Sequence, residues 1–168
     1  EVGAGGKEHR AGGDWADVYF QHRLGSSLVL EDGSVNRAMG SVELGVGVRV
    51  VKGDQTGYGY TEELTLESLK RAARTAAAIA EGPSRPLPAG LRVTTGLDSR
   101  YPVKLRWEDV TPGQKLPLLT GLNAKAFEAD ARVRKVTVQF SDATSVILIA
   151  DSSGRIVEDA QPMTSLYL

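Results

Sequence analysis

The sequence predicts a segregated α+β fold, with antiparallel strands first, then two main helices packed on one side of the sheet, then strands again. Three observations predict it. Apolar residues recur at every second position through residues 16–61 and again beyond 132, the mark of half-buried strands. Two stretches between them have helical spacing and helix-start chemistry instead. The early strands are joined by turns far shorter than the crossover of a dozen or more residues that a parallel pair needs.

The first strand starts at Ala16, with Val18, Phe20, His22 and Leu24 on one side and Asp17, Tyr19, Gln21 and Arg23 on the other. Gly25-Ser26-Ser27 reads as a turn into a second strand, Ser27 to Glu31. Asp32-Gly33, tolerant of positive φ, is the clearest hairpin signal and returns the chain through Ser34 to Met39. In the strongest strand Val42, Leu44, Val46, Val48 and Val50 alternate with Ser41, Glu43, Gly45, Gly47 and Arg49. After a turn at Lys52-Gly53-Asp54, a short strand from Thr56 to Thr61 alternates Gly57 and Gly59 with Tyr58 and Tyr60.

Thr65 is placed as a helix N-cap, with Leu64 set to staple against Leu69. Leu66, Leu69, Ala73, Ala76 and Ala80 then form a narrow apolar stripe, which Gly82 and Pro83 bring to an end. Residues 83–108 form a long connection with room for one short strand at Leu91 to Thr95. Thr111-Pro112-Gly113-Gln114 has capping-box spacing and opens a helix carrying Leu116, Leu119, Leu122, Ala126 and Ala129. Pro117 either kinks that helix or starts it. Strands follow at Arg132 to Phe140, Ser145 to Ala150, Arg155 to Asp159, and from about Met163. Residues 1–13 hold five glycines and little apolar surface, so they read as a flexible arm ahead of a single domain over 14–168.

Composition narrows the chemistry. The 20 Lys and Arg against 21 Asp and Glu leave a net charge of −1, too little for a general electrostatic grip on nucleic acid or an anionic membrane. There is no cysteine for a disulfide, a thiolate metal site or a cysteine nucleophile, which suits a reducing cytoplasm. No apolar run is long enough to span a bilayer, so no membrane partner is expected.

Individual motifs are mostly explained by structure. Gly45-Val46-Gly47 lies inside a strand, not between a strand and a helix, and Gly6-Lys7 lacks Walker spacing. His22, Glu8 and His9, with Asp14 or Asp17, are the sparse metal candidates. No G-x-S-x-G elbow supports a serine hydrolase. The clusters Lys70, Arg71, Arg74 and Arg132, Arg134, Lys135 read as solvated faces. Tyr58 and Tyr60 read first as core or cross-strand packing, and second as a stiff surface over accessible backbone.

The stretch SVELGVGVRVVKGDQTGYGYTEELTLESLKRAARTAAAIA, residues 41–80, resembles the N-terminal domain of the TldD/PmbA family, once called modulators of DNA gyrase. Upstream, AGGDWADVYFQHR and LVLEDGSV resemble that family's opening strand and hairpin. Downstream, ARVRKVTVQFSDATSVILIADSSGRIVEDAQPM resembles its later strands, and the TldD branch is the nearer one.

The resemblance implies a zinc metallopeptidase acting on peptides or unfolded segments, in which a TldD-like subunit pairs with a PmbA/TldE-like subunit or with itself. Its metal ligands come from an HExxxH helix and a later cysteine. This chain has neither, so no catalytic or metal residue carries over and no cofactor is expected within it. Zinc is expected in a catalytic domain that is absent here. The expected role is a non-catalytic N-terminal domain at the subunit interface and chamber wall. A free-standing peptide-binding scaffold is the alternative. Strand edges would receive extended peptide where Gly45, Gly47, Gly57 and Gly59 leave backbone open. Arg49, Tyr58 and Tyr60 are the expected substrate-side or partner-side residues.

Overall fold

The structure, a computed structural model, describes residues 13–80, 92–93 and 101–168. The expected arm and the expected helix stop at Gly82-Pro83 lie outside the described residues. Strands β1 (Trp15–Glu31), β2 (Ser34–Lys52) and β3 (Gln55–Thr61) precede helix α1 (Leu66–Ala80). After the two-residue β4 (Arg92–Val93) and a 3₁₀ turn (Trp107–Asp109) come helix α2 (Pro112–Ala129) and strands β5 (Thr137–Asp151) and β6 (Arg155–Tyr167). The sheet order is β3-β2-β1-β5-β6-β4. The five longer strands make the antiparallel sheet that the turn lengths predict. β4 is the exception, pairing parallel with Arg155 and Ile156.

Each long strand is continuous where the sequence reading broke it in two. Gly25-Ser26-Ser27 is not a turn but part of β1. Its small residues answer to neighbours: a Cβ at Gly25 would lie 2.9 Å from the Ser41 hydroxyl, and the Ser26 hydroxyl donates to Asp142 at 2.8 Å. Pro162 likewise sits inside β6, over a stretch where β6 has no outer neighbour strand among the described residues and a missing N–H is tolerated. β5 begins later than Arg132, because Asp130 first turns the chain by accepting the Arg132 backbone N–H at 2.8 Å.

The chain divides into two compact units, each built from three separate segments. The first comprises the described parts of Glu1–Phe20, Gly45–Gly96 and Leu148–Glu158. Its core is Val48, Val50, Ala72, Ala76 and Ala80, with Ala16, Val18, Ala73 and Ala77 against it. Thr65 caps α1 as expected, accepting the Ser68 N–H at 3.2 Å. The buried face, however, is Ser68, Ala72, Ala76 and Ala80, while Leu66 is 65% exposed.

The reason lies in β3. A Cβ at Gly57 would stand 1.9 Å from the Ala76 carbonyl oxygen, and one at Gly59 would stand 2.1 Å from that of Ala72. The helix therefore rests on bare strand backbone, and only alanine and serine fit along its line of contact.

The second unit comprises Gln21–Leu44, the described parts of Leu97–Ile147, and Asp159–Leu168. Leu28, Leu30, Leu119, Val136, Val138 and Phe140 form its core, packed by Trp107, Leu116, Leu122, Ala126 and Val133. Leu30, Leu119 and Val138 are fully buried, each contributing about 1.5–3 kcal/mol over exposure. Helix α2 starts at Pro112 and runs through Pro117, with Gln114 Oε1 accepting the Thr111 N–H at 2.8 Å. The hairpin forms at Asp32 (φ 47°) and Gly33 (φ 82°). Asp32 is tied to the residue preceding β5: its carboxylate accepts the Val136 N–H at 2.8 Å, and its own N–H donates to the Val136 carbonyl at 2.9 Å.

In the first unit, the Asp151 carboxylate organises the turn into β6. The Ser153 hydroxyl bonds it, the Ser153 N–H donates at 2.9 Å and Arg155 Nε at 3.2 Å. The Ser153 hydroxyl, joined by these other donors and opposed by burial, holds the carboxyl below its ordinary 3.8. Its contribution to stability is thus complete above pH 3.8 and is lost as pH falls through the lower folded value. Denaturant midpoints of wild type and Asp151→Asn, taken from pH 7 down to pH 2, should converge at the acid end. By contrast, Gly57→Ala should cost about 1–3 kcal/mol in thermal or urea unfolding, through forced separation of α1 from β3. Gly47→Ala, whose added Cβ meets nothing within 4 Å, should stay within about 0.5 kcal/mol of wild type.

Candidate functional site

The face of the first unit opposite α1 is set by the pleat of β3. Gly57 and Gly59 lie under the helix, so Tyr58 and Tyr60 project the other way. They are 62% and 82% exposed, so of the two packing roles read from the sequence the core one is ruled out and the cross-strand one is left. The same packing closes Gly57 and Gly59 to any approaching peptide and leaves Gly47 open.

Across the β2–β3 ladder, Tyr58 stands opposite Arg49 and Tyr60 opposite Gly47. Arg49 donates twice to Asp17, from Nε at 3.0 Å and Nη2 at 2.9 Å, and its guanidinium lies 5.0 Å from the Trp15 ring centroid. Asp17, mainly through these bonds, raises the Arg49 pKa, and Tyr58 adds to the shift. The three residues singled out from the sequence thus share one surface. The charge of Arg49 is already balanced by Asp17, so the surface offers aromatic area and ordered backbone more than an anion site.

A second cluster was missed by sequence reading. In the second unit, Lys115 and Asp142 are 6% and 4% exposed, with Nζ 2.6 Å from Oδ2. Lys115 also donates to the Ser26 hydroxyl at 2.8 Å, which in turn donates to the same carboxylate oxygen at 2.8 Å. The ammonium lies 5.6 Å from the Trp107 ring centroid and 5.9 Å from that of Phe140. One signal was present: Lys115 precedes Leu119 and Asn123 at four-residue spacing, on the buried stripe of α2. The Oδ1 atom of Asn123 is buried without a hydrogen-bond partner among the described residues.

Glu8 and His9 lie outside the described residues, and no group of three His, Cys, Asp or Glu residues forms a metal site among the described ones. No helix among the described residues is long and apolar enough to cross a membrane.

The architecture is a sheet of long antiparallel strands with two helices, and no metal-ligating group forms among the described residues. Residues 16–80 match the family model for PmbA/TldA metallopeptidase domain 1, and residues 105–168 that for the PmbA/TldA metallopeptidase central domain. The chain belongs to the PmbA/TldD family. It is 33% identical over 157 residues to a Metalloprotease TldD homolog of Haemophilus influenzae, covering 92% of this chain and 32% of that protein. A Metalloprotease TldD homolog of Buchnera aphidicola subsp. Acyrthosiphon pisum is 29% identical over 155 residues, covering 89% and 31%. The chain thus spans about a third of the length of these curated relatives.

Solved structures share the fold. A candidate modulator of DNA gyrase from Bacteroides thetaiotaomicron superposes with TM-score 0.69 at 20% identity, covering 94% of this chain and 37% of that one. TldE from Thermococcus kodakarensis gives 0.62 at 18% identity, covering 92% and 36%.

The buried pair yields a stability test. Lys115→Met alone should cost about 3–5 kcal/mol in urea unfolding, because Asp142 is left buried and uncompensated. Lys115→Met combined with Asp142→Leu should recover most of that loss.

Proposed function

We propose that this chain is the non-catalytic N-terminal part of a TldD-like metallopeptidase that processes peptides in the cytoplasm. In this role it forms part of the subunit interface and of the wall facing the substrate. The observation that carries the reading is the 33% identity to a metalloprotease of the TldD type over nearly the whole chain. The sequence has no cysteine and no HExxxH, and no metal-ligating group forms among the described residues, which supports the non-catalytic part of the reading. The likeness to a TldE fold supports a TldE-like subunit, or a second copy, as the partner. Arg49, Tyr58 and Tyr60 are proposed to face partner or substrate, for three physical reasons. Two aromatic rings stand in solvent, β3 ends the sheet order, and the backbone at Gly47 is open.

Elemental analysis and a peptide-cleavage assay on the 168-residue chain test the first half: zinc well below one equivalent and no cleavage are expected. One tightly held equivalent would overturn it. Immobilised chain should capture a TldE-like subunit, and Tyr58→Ser with Tyr60→Ser should weaken that capture or slow the full-length enzyme about tenfold. An unchanged rate and assembly would remove these residues from the proposal. Selective capture of unfolded peptide without any such subunit would favour the scaffold reading.

A further inference from the structure

A cleft of about 260 Å³ opens in the second unit between the start of α2 and strands β1 and β2. Leu28, Ala38, Met39 and Pro112 supply apolar wall, and Ser26 and Lys115 also line it. Residues 34–44 of β2 are exposed along their length, so the cleft is reached from solvent past Ala38 and Met39.

We propose that this cleft binds a small neutral acyl group, an apolar branched chain carrying an amide carbonyl. The apolar wall selects the chain. The carbonyl is selected by Lys115, an ammonium with three N–H donors. Two of them serve Asp142 and Ser26, and the third has no hydrogen-bond acceptor among the described residues. Ser26 is itself committed, accepting from Lys115 and donating to Asp142.

Charge decides between ligand classes. Asp142 Oδ2 at 2.6 Å already neutralises the ammonium, so an entering carboxylate meets a carboxylate beside its cation. An entering amine meets the ammonium. A neutral acceptor satisfies the remaining N–H and brings no uncompensated charge into the site. This inference is independent of the metallopeptidase reading, because it uses no residue of the β3 face and no metal.

Two methionines make the test direct, since Met39 lines the cleft whereas Met163, 66% exposed, does not. In ¹³C-methyl-methionine spectra of the intact 168-residue chain, isovaleramide should shift the Met39 methyl saturably and leave Met163 in place. Isovalerate and isopentylamine should bind about tenfold more weakly or worse. N-acetylleucine methylamide separates the sources of such a group: tighter binding than isovaleramide marks a peptide residue, and weaker binding a free acyl amide. Ala38→Phe fills the cleft from an exposed strand position and keeps the ion pair, so it should abolish the Met39 response. An unchanged Met163 signal and thermal midpoint would show that this variant is folded. The proposal is overturned if isovaleramide produces no saturable Met39 shift, if isovalerate binds as tightly, or if folded Ala38→Phe responds like wild type.

Discussion

Four strands must serve two hydrophobic cores, and the placement of nearly every small or polar residue in the sheet follows from that. β1, β2, β5 and β6 each pass from one compact unit into the other, at 17, 19, 15 and 13 residues. Globular strands usually run 3–10 residues, so these cannot be interrupted where an ordinary hairpin would turn. β1 gives Ala16 and Val18 to the first core and Leu28 and Leu30 to the second, with a half-buried stretch between. Gly25 and Ser26 in that stretch are small because Ser41 and Asp142 crowd them.

The two cores solve the packing problem by opposite means. In the first, alanine meets glycine, so little apolar area is gained per residue and close backbone approach takes its place. In the second, leucine, phenylalanine and tryptophan fill the space, with Trp107 edge-on to Phe140 at 5.7 Å. That larger core also encloses an ion pair. Burying two charges costs several kcal/mol each, and the short contact, the serine hydroxyl and the nearby rings offset that cost. Such a pair contributes little net stability while strongly penalising any arrangement that separates Lys115 from Asp142.

Local chemistry was legible in the sequence wherever it was self-contained. The Asp32-Gly33 hairpin, the Thr65 cap, the Gln114 half of the capping box and the inward Val136, Val138 and Phe140 depend on neighbours a few residues away. Features set by distant partners were not. Strand continuity depends on contacts such as Ser26 to Asp142, separated by 116 residues. The buried face of α1 is chosen by Gly57 and Gly59, and of the stripe read from the sequence it keeps Ala76 and Ala80 but takes Ser68 and Ala72 in place of Leu66, Leu69 and Ala73. Of the candidate site, period two puts Tyr58 and Tyr60 on one face of β3, whereas the β2–β3 register that sets Arg49 opposite Tyr58 is supplied by the structure. The Lys115–Asp142 pair was hidden because both residue types are ordinarily solvated.

The interleaving of segments bears on how such a chain can be inherited. The first unit takes strand from Leu148–Glu158, beyond the region that matches the domain 1 model, and the second takes β1 and β2 residues from Gln21–Leu44, ahead of the central-domain region. A recombination junction anywhere in the connection between residues 80 and 105 would therefore strip both units at once. Each unit is thus completed by strand from the sequence region that the other family model matches.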